Sequence, residues 1–220
     1  MIDTPPPARA ETVRQIEDIG LVAIIRARSS GGLLDTCAAL ADGGVTVVEV
    51  TMTTPGALDA IAAARTQLGD RVLVGVGSVL DAETAKLAVE AGARFVVSPV
   101  LRPAVIERAH ALGVPCFAGA FTPTEVLDAF EAGSDVVKVF PANHHGPRFF
   151  RDILAPMPHL RLTPTGGVSL ETIPDWFAAG ARCVGVGSSL VKRELVEGAK
   201  WGELTALGER YVAAVAAARG

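Results

Sequence analysis

FEAGSDVVKVF, residues 130–140, contains in one short stretch the unit from which the whole chain is built. Phe130-Glu131-Ala132 reads as the end of a helix, and Gly133 suits the left-handed position just past it. The run from Val136 to Phe140 is short, apolar and rich in valine, as a strand buried on both faces should be. The same phrase returns as LADGGVTVVEV (40–50), VEAGARFVVSP (89–99), HALGVPCFAG (110–119) and FAAGARCVGVG (177–187). Its glycine, at Gly43, Gly92, Gly113, Gly133 and Gly180, is expected each time to end a helix in the left-handed conformation.

Helical patterns such as TPGALDAIAAARTQLG and DAETAKLAVEAG fill the intervals. Thr122-Pro123-Thr124-Glu125 has the form of a capping box with proline at the first helical position, and Asp81 is placed to cap the helix after it. Strands are expected near 21–26, 45–50, 72–77, 94–98, 114–118, 135–140, 160–164 and 182–186, each followed by a helix. A further helix over 10–19 stands in front and one over 201–218 closes the chain; residues 1–8, rich in proline, read as a loose tail. Eight strand–helix units in a chain of 220 residues predict an α/β fold, a (β/α)8 TIM barrel forming a single domain over 1–220. A doubly wound open sheet is the alternative. Against it, the first strand ends in IIRARSS, with no G-x-G-x-x-G after it.

Composition narrows the function. Half the residues are hydrophobic and 20% are charged, ample for a large core. A net charge of −4 gives no basic footprint for nucleic acid or an anionic membrane. No apolar stretch reaches the length of a transmembrane helix, and MIDTPPPARAE has no apolar segment of a signal peptide. Cys37, Cys116 and Cys183 stand far apart, without ligand spacing, which suits inert thiols in a reduced cytoplasmic protein.

On this fold the chemistry gathers at the C-terminal ends of the strands. The polar residues there are Arg26, Glu49, Ser78, Ser98, Lys138, Thr165 and Ser188. Alternation puts Val136, Lys138 and Phe140 on one face of their strand, and Val47 and Glu49 on one face of theirs. If those faces point inward, lysine and glutamate share the barrel interior. Two readings of Lys138 stand: a structural ion pair with Glu49, or a nucleophile. A dry site disfavours an ammonium over the neutral amine, and an amine attacks a ketone to form a Schiff base. Glu49 is then either the charge partner or the proton carrier beside the imine.

Two glycine turns make a second constellation: TPTGGVS (163–169) after the seventh strand and GVGSSL (185–190) after the eighth. Barrels often bind phosphate there, because glycine lets backbone N–H groups approach the oxygens. Gly166, Gly167, Gly187 and Ser188 are the expected donors. His144 and His145 in NHHG are adjacent and lack an evident third ligand, so no metal is expected; Trp176, Trp201 and Tyr211 fall on helices and read as packing.

The segments VAIIRA, GGVTVVEVTMTTP, GVGSVL, VSP, VVKVFPA, PTGGV and VGVGSSLVK stand in this order, and the chain from about residue 13 onward resembles the 2-keto-3-deoxy-6-phosphogluconate (KDPG) and 4-hydroxy-2-oxoglutarate (KHG) aldolases. The resemblance implies a class I aldolase that cleaves KDPG to pyruvate and glyceraldehyde 3-phosphate, with 4-hydroxy-2-oxoglutarate as a further substrate. It implies a homotrimer without metal or other cofactor, working through a covalent lysine imine. It places the Schiff-base lysine at Lys138 and the acid/base glutamate at Glu49. Substrate contacts fall on Arg26, Ser78 and Thr165, and phosphate contacts on Gly166, Gly167, Gly187 and Ser188. Two positions depart from the pattern. Thr53 stands where some members carry an arginine for the substrate carboxylate, and Asn143 where many carry an acid. A 2-keto-3-deoxy-6-phosphogalactonate aldolase, a phosphate-barrel isomerase or epimerase using Lys138 only as a charge, and a non-catalytic sugar-phosphate sensor are the alternatives.

Overall fold

The computed structural model describes residues 7–220. Its strands are β1 (Leu21–Ile25), β2 (Val47–Thr51), β3 (Leu73–Gly77), β4 (Val96–Val97), β5 (Cys116–Ala120), β6 (Val136–Val139), β7 (Leu162–Pro164) and β8 (Val184–Val186). All pair in parallel, in the order β7-β6-β5-β4-β3-β2-β1-β8. The last seam, between β7 and β8, closes by a parallel bridge from Thr165 to Gly185. Arg182 N–H donates to the Leu162 carbonyl across it at 2.9 Å, and the Thr163 hydroxyl donates to the Cys183 carbonyl at 2.9 Å. The sheet is thus a (β/α)8 barrel, and the open doubly wound alternative, which needs two free edges, is excluded.

Helix α1 (Pro7–Ile19) precedes the barrel. Each strand is then followed by one helix: α2 (Leu33–Asp42), α3 (Ala57–Leu68), α4 (Ala82–Glu90), α5 (Pro103–Ala111), α6 (Pro123–Glu131), α7 (Pro147–Leu154), α8 (Ile173–Ala178) and α9 (Arg193–Glu197), with α10 (Trp201–Arg219) closing the chain. Of the tail expected over 1–8, residues 1–6 lie outside the described residues, while Pro7 and Ala8 form the first turn of α1.

The valine-rich strands serve two cores. Residues such as Val48, Val50, Val74, Val137 and Val139 pack outward against the helices in one continuous cluster. The other face fills the barrel. Val22, Val47, Leu73, Phe95, Phe117, Val136 and Cys183 form an inner cluster with Val13 and Ile16 of α1. Helix α1 therefore stops the N-terminal end of the barrel with its apolar stripe, which explains an extra helix ahead of the first strand. Two residues further along β2 and β6, on the same inner face, come Glu49 and Lys138.

The expected caps form: the Asp81 carboxylate accepts from Thr84 N–H at 2.8 Å, and Thr122 and Glu125 make the reciprocal capping box. Four of the five phrase glycines, Gly92, Gly113, Gly133 and Gly180, are left-handed. Gly43 is a correction: its φ is −85°, and the left-handed residue is Gly44 at +80°. A Cβ on Gly43 would overlap the Thr205 carbonyl of α10, so this glycine serves close helix packing rather than the turn.

Candidate active site

Glu49 is 3% exposed and Lys138 is 6% exposed. Lys138 Nζ lies 3.9 Å from Glu49 Oε1 and 5.4 Å from the centre of the Phe140 ring. Alternation puts each residue on one face of its strand, and the structure turns both faces into the barrel. Space for the pair comes from small neighbours. A Cβ on Gly77 would overlap the Glu49 carboxylate, and one on Gly75 would overlap the Phe95 ring below. On β5, Gly119 stands beside Lys138 in the ladder. Of these weak strand formers, Gly77 makes room for the Glu49 carboxylate, Gly75 for the Phe95 ring, and Gly119 for the Pro99 backbone, which a Cβ there would overlap.

Burial pushes the Glu49 carboxyl above its ordinary range, with Lys138 and then Arg26 pulling it part of the way back. Among the described residues Glu49 Oε1 has no hydrogen-bond partner. A buried acceptor left open in this way is poised for a hydroxyl or water brought by a ligand.

The turns after β7 and β8 meet above this pair. Thr165, 8% exposed, donates its N–H to Val139 at 3.0 Å and accepts from Ala142 N–H at 2.8 Å, which fixes the start of the first turn. Gly166 and Gly167 follow at φ +100° and +75°. Asn143 packs on them: a Cβ on Gly167 would lie 2.5 Å from the Asn143 Cβ. The Ser189 hydroxyl donates to the Val168 carbonyl at 2.6 Å and ties the two turns together. The N–H groups of Gly166, Gly167, Gly187 and Ser188 donate to nothing among the described residues. Gly187 faces open space, with no atom within 4 Å of a Cβ built there.

Arg26, Phe140, Thr165, Gly166, Gly167, Gly187 and Ser188 line one cleft of about 1000 Å³. Lys138 and Glu49 are not part of that lining: Lys138 stands two residues before Phe140 on its strand, 5.4 Å from its ring, with Glu49 beside the lysine. Ser78 sits at the end of β3, four strands from β7, so it belongs to the far rim. Its φ of +61° is unusual for a serine and sets its side chain on a strained turn. His145, from the NHHG segment, is packed between rings, 4.2 Å from Phe121 and 4.2 Å from Phe149. Arg28 and Asp35 also line the cleft, and so does Trp201, which the sequence suggests only as a packing residue. Arg28 lies on the irregular loop after β1, Asp35 in the first turn of α2, and Trp201 opens a helix whose periodicity marks only its packed face.

A family model described as KDPG and KHG aldolase matches residues 13–207. The chain is 31% identical over 195 residues to a 2-dehydro-3-deoxy-phosphogluconate aldolase of Haemophilus influenzae, covering 88% of this chain and 92% of the relative. It is 32% identical over 173 residues to a 2-dehydro-3-deoxy-6-phosphogalactonate aldolase of Escherichia coli, covering 78% and 84%. Among solved structures it superimposes on KDPG aldolase of Legionella pneumophila with pyruvate captured as a covalent carbinolamine, at a TM-score of 0.81 and 27% identity, covering 86% of this chain and 92% of that one.

Proposed function

Because the chain belongs to the KDPG and KHG aldolase family, and is thus a carbon–carbon lyase, we propose that it cleaves 2-keto-3-deoxy-6-phosphogluconate to pyruvate and glyceraldehyde 3-phosphate through an imine on Lys138. The observation that carries this reading is the buried Lys138–Glu49 pair beneath a cleft rimmed by unpaired backbone donors. The Lys138 amine attacks the C2 ketone, and Glu49 moves the protons that turn the carbinolamine into an imine with loss of water. Glu49 then takes the proton of the C4 hydroxyl. The C3–C4 bond breaks, its electron pair passes into the imine as an enamine, and the phosphorylated aldehyde leaves. Protonation at C3 and addition of water return the lysine and release pyruvate. Nothing in this route calls for a metal or cofactor.

The phosphate is assigned to the N–H groups of Gly166, Gly167, Gly187 and Ser188, with the sugar chain running from there down to Lys138. Thr165 and Ser78 contact it from opposite rims, and Arg26 supplies the cation between. The carbinolamine on the Legionella relative supports a covalent lysine route. The Escherichia coli relative makes the galactonate epimer the alternative substrate. We also assign the chain to a homotrimer in the cytoplasm. Leu80, Val100 and Phe121, 52%, 45% and 37% exposed, follow three adjacent strands and form an apolar arc for a second copy to cover. Cys37, Cys116 and Cys183 are all buried and unpaired, which suits a reducing compartment.

Borohydride added with pyruvate tests the reading. One reduced pyruvate should appear on the chain, on Lys138, and Lys138→Ala should fold without acquiring it. Label on Lys86, Lys192 or Lys200 instead would overturn the assignment. A pyruvate-release assay across the gluconate, galactonate and unphosphorylated acids then fixes the substrate.

A further inference from the structure

The ladder between β1 and β2 ends at the pair Ile25 and Val50, one residue short of Arg26. A side chain takes over where the backbone pairing stops. Ala27, the residue after Arg26, donates its N–H to Thr54 Oγ1 at 3.1 Å. Thr54 Oγ1 lies 3.3 Å from Thr51 Oγ1, which lies 3.0 Å from Thr53 Oγ1. Since an amide N–H only donates, one consistent order runs from Ala27 to Thr54, to Thr51 and out to Thr53.

The anchor is rigid. Thr51 and Thr54 are 0% and 2% exposed. Thr54 N–H donates to the Thr51 carbonyl at 2.9 Å, and the Thr54 carbonyl accepts from Ala57 N–H at 3.2 Å at the start of α3. What it holds is less constrained. Arg26, Arg28 and Ser29 are exposed, and Arg28 and Ser29 donate no hydrogen bond among the described residues. Arg26 lines the cleft of the two glycine turns and also acts on the Glu49 carboxyl. Its guanidinium therefore serves both halves of the site, and its placement matters more because Thr53 brings no charge of its own.

We propose that Thr54 is a positioning residue for Arg26: its hydroxyl pins the backbone one residue past the arginine to the end of β2, and so fixes the guanidinium between Glu49 and the turns after β7 and β8. This rests on the reading of Arg26 as a substrate-binding residue. Thr54→Val keeps the shape of threonine, removes the acceptor and leaves the segment from Arg26 onward untied.

The test is a double-mutant cycle of Thr54→Val with Arg26→Ala, read as KM, kcat and the pH profile of kcat/KM for the phosphorylated acid. Arg26→Ala should raise KM by about 10- to 150-fold, the scale of a lost hydrogen bond to a charged group. Thr54→Val should raise KM by roughly tenfold with kcat held within about twofold. It should also move the acid limb to higher pH, because Arg26 favours ionised Glu49 and would no longer be held near it. Thr54→Ser, which retains the hydroxyl, should restore KM and limb, and Thr54→Val should add almost nothing in the Arg26→Ala background. Thr54→Ala serves in its place if the valine variant does not fold. An unchanged KM in Arg26→Ala would sink the reading of Arg26. A large Arg26→Ala effect with Thr54→Val silent, or a Thr54→Val effect that persists in full without Arg26, would overturn the positioning role while leaving Arg26 in place.

Discussion

Gly187→Ala separates recognition from folding. Gly187 is outside the left-handed region, and a methyl placed there meets no protein atom within 4 Å. The folded state should accept alanine, and the loss of unfolded-chain freedom should leave stability equal or raise it by about 0.4–1 kcal/mol. The same methyl projects into the cleft beside an N–H assigned to the phosphate. Weakening one hydrogen bond to a charged group costs about 1.5–3 kcal/mol, or roughly a 10- to 150-fold loss of kcat/KM on the phosphorylated acid. On unphosphorylated 4-hydroxy-2-oxoglutarate the loss should be less than about twofold, since that substrate brings nothing to the turn. Gly167→Ala is the contrasting case. At φ +75°, with its new Cβ 2.5 Å from the Asn143 Cβ, it should cost about 1–2 kcal/mol of stability and lower Tm by roughly 2–8 °C. Pyruvate release coupled to NADH oxidation, alongside thermal melts, reads both variants. If Gly187→Ala leaves kcat/KM on the phosphorylated acid intact, or damages both substrates equally, phosphate does not sit against this turn.

Glu49→Gln should keep the fold and lower turnover by about two to four orders of magnitude, the usual scale for a lost general acid or base; near-normal turnover would reduce Glu49 to a charge partner. Glu49 binds its proton more tightly folded than unfolded. Its contribution to stability is therefore full below the ordinary value of 4.5 and is lost as pH rises through the raised folded value. The Tm difference between Glu49→Gln and the parent should accordingly change across that window and be flat below it, and a pH-independent difference would contradict the raised carboxyl. Leu80→Glu with Val100→Glu should reduce the mass seen by analytical ultracentrifugation without lowering Tm by more than a few degrees, and an unchanged oligomer would move the interface elsewhere.

The barrel was legible because its repeat is physical: a helix must stop, and the strand after it must be dry on both faces. Burial is what valine runs report, however, and pairing starts later. Val114 and Leu160 are buried ahead of β5 and β7 but outside the ladders, so the expected strands begin two residues early. The far end of β5 was missed for the opposite reason, as Gly119 and Ala120 have little strand propensity yet pair with Lys138 and Val139. Alternation alone told which residues share a face with Lys138 and with Glu49, though not that both faces point inward, and the glycine turns were legible from their backbone freedom. Thr54 and Trp201 could not, since no period in the sequence says which loops meet in space. Gly43 was misread because a glycine required by a neighbouring helix looks identical, in sequence, to one required by a turn.

Helix α1 has a kinetic consequence. With Val13 and Ile16 seated in the N-terminal end of the barrel, the described residues close the interior at that end and leave its approach from the rim that carries the glycine turns. Traffic through one opening is ordered by depth. With the imine on Lys138 and the phosphate at the turns as proposed, the tethered fragment would lie at the bottom and the phosphorylated aldehyde near the rim, so the aldehyde should depart first and pyruvate second. In the synthetic direction pyruvate must enter first, and an aldehyde that arrives before it blocks the way in. High aldehyde concentration should then inhibit condensation competitively with pyruvate, a signature that a barrel open at both ends would not show.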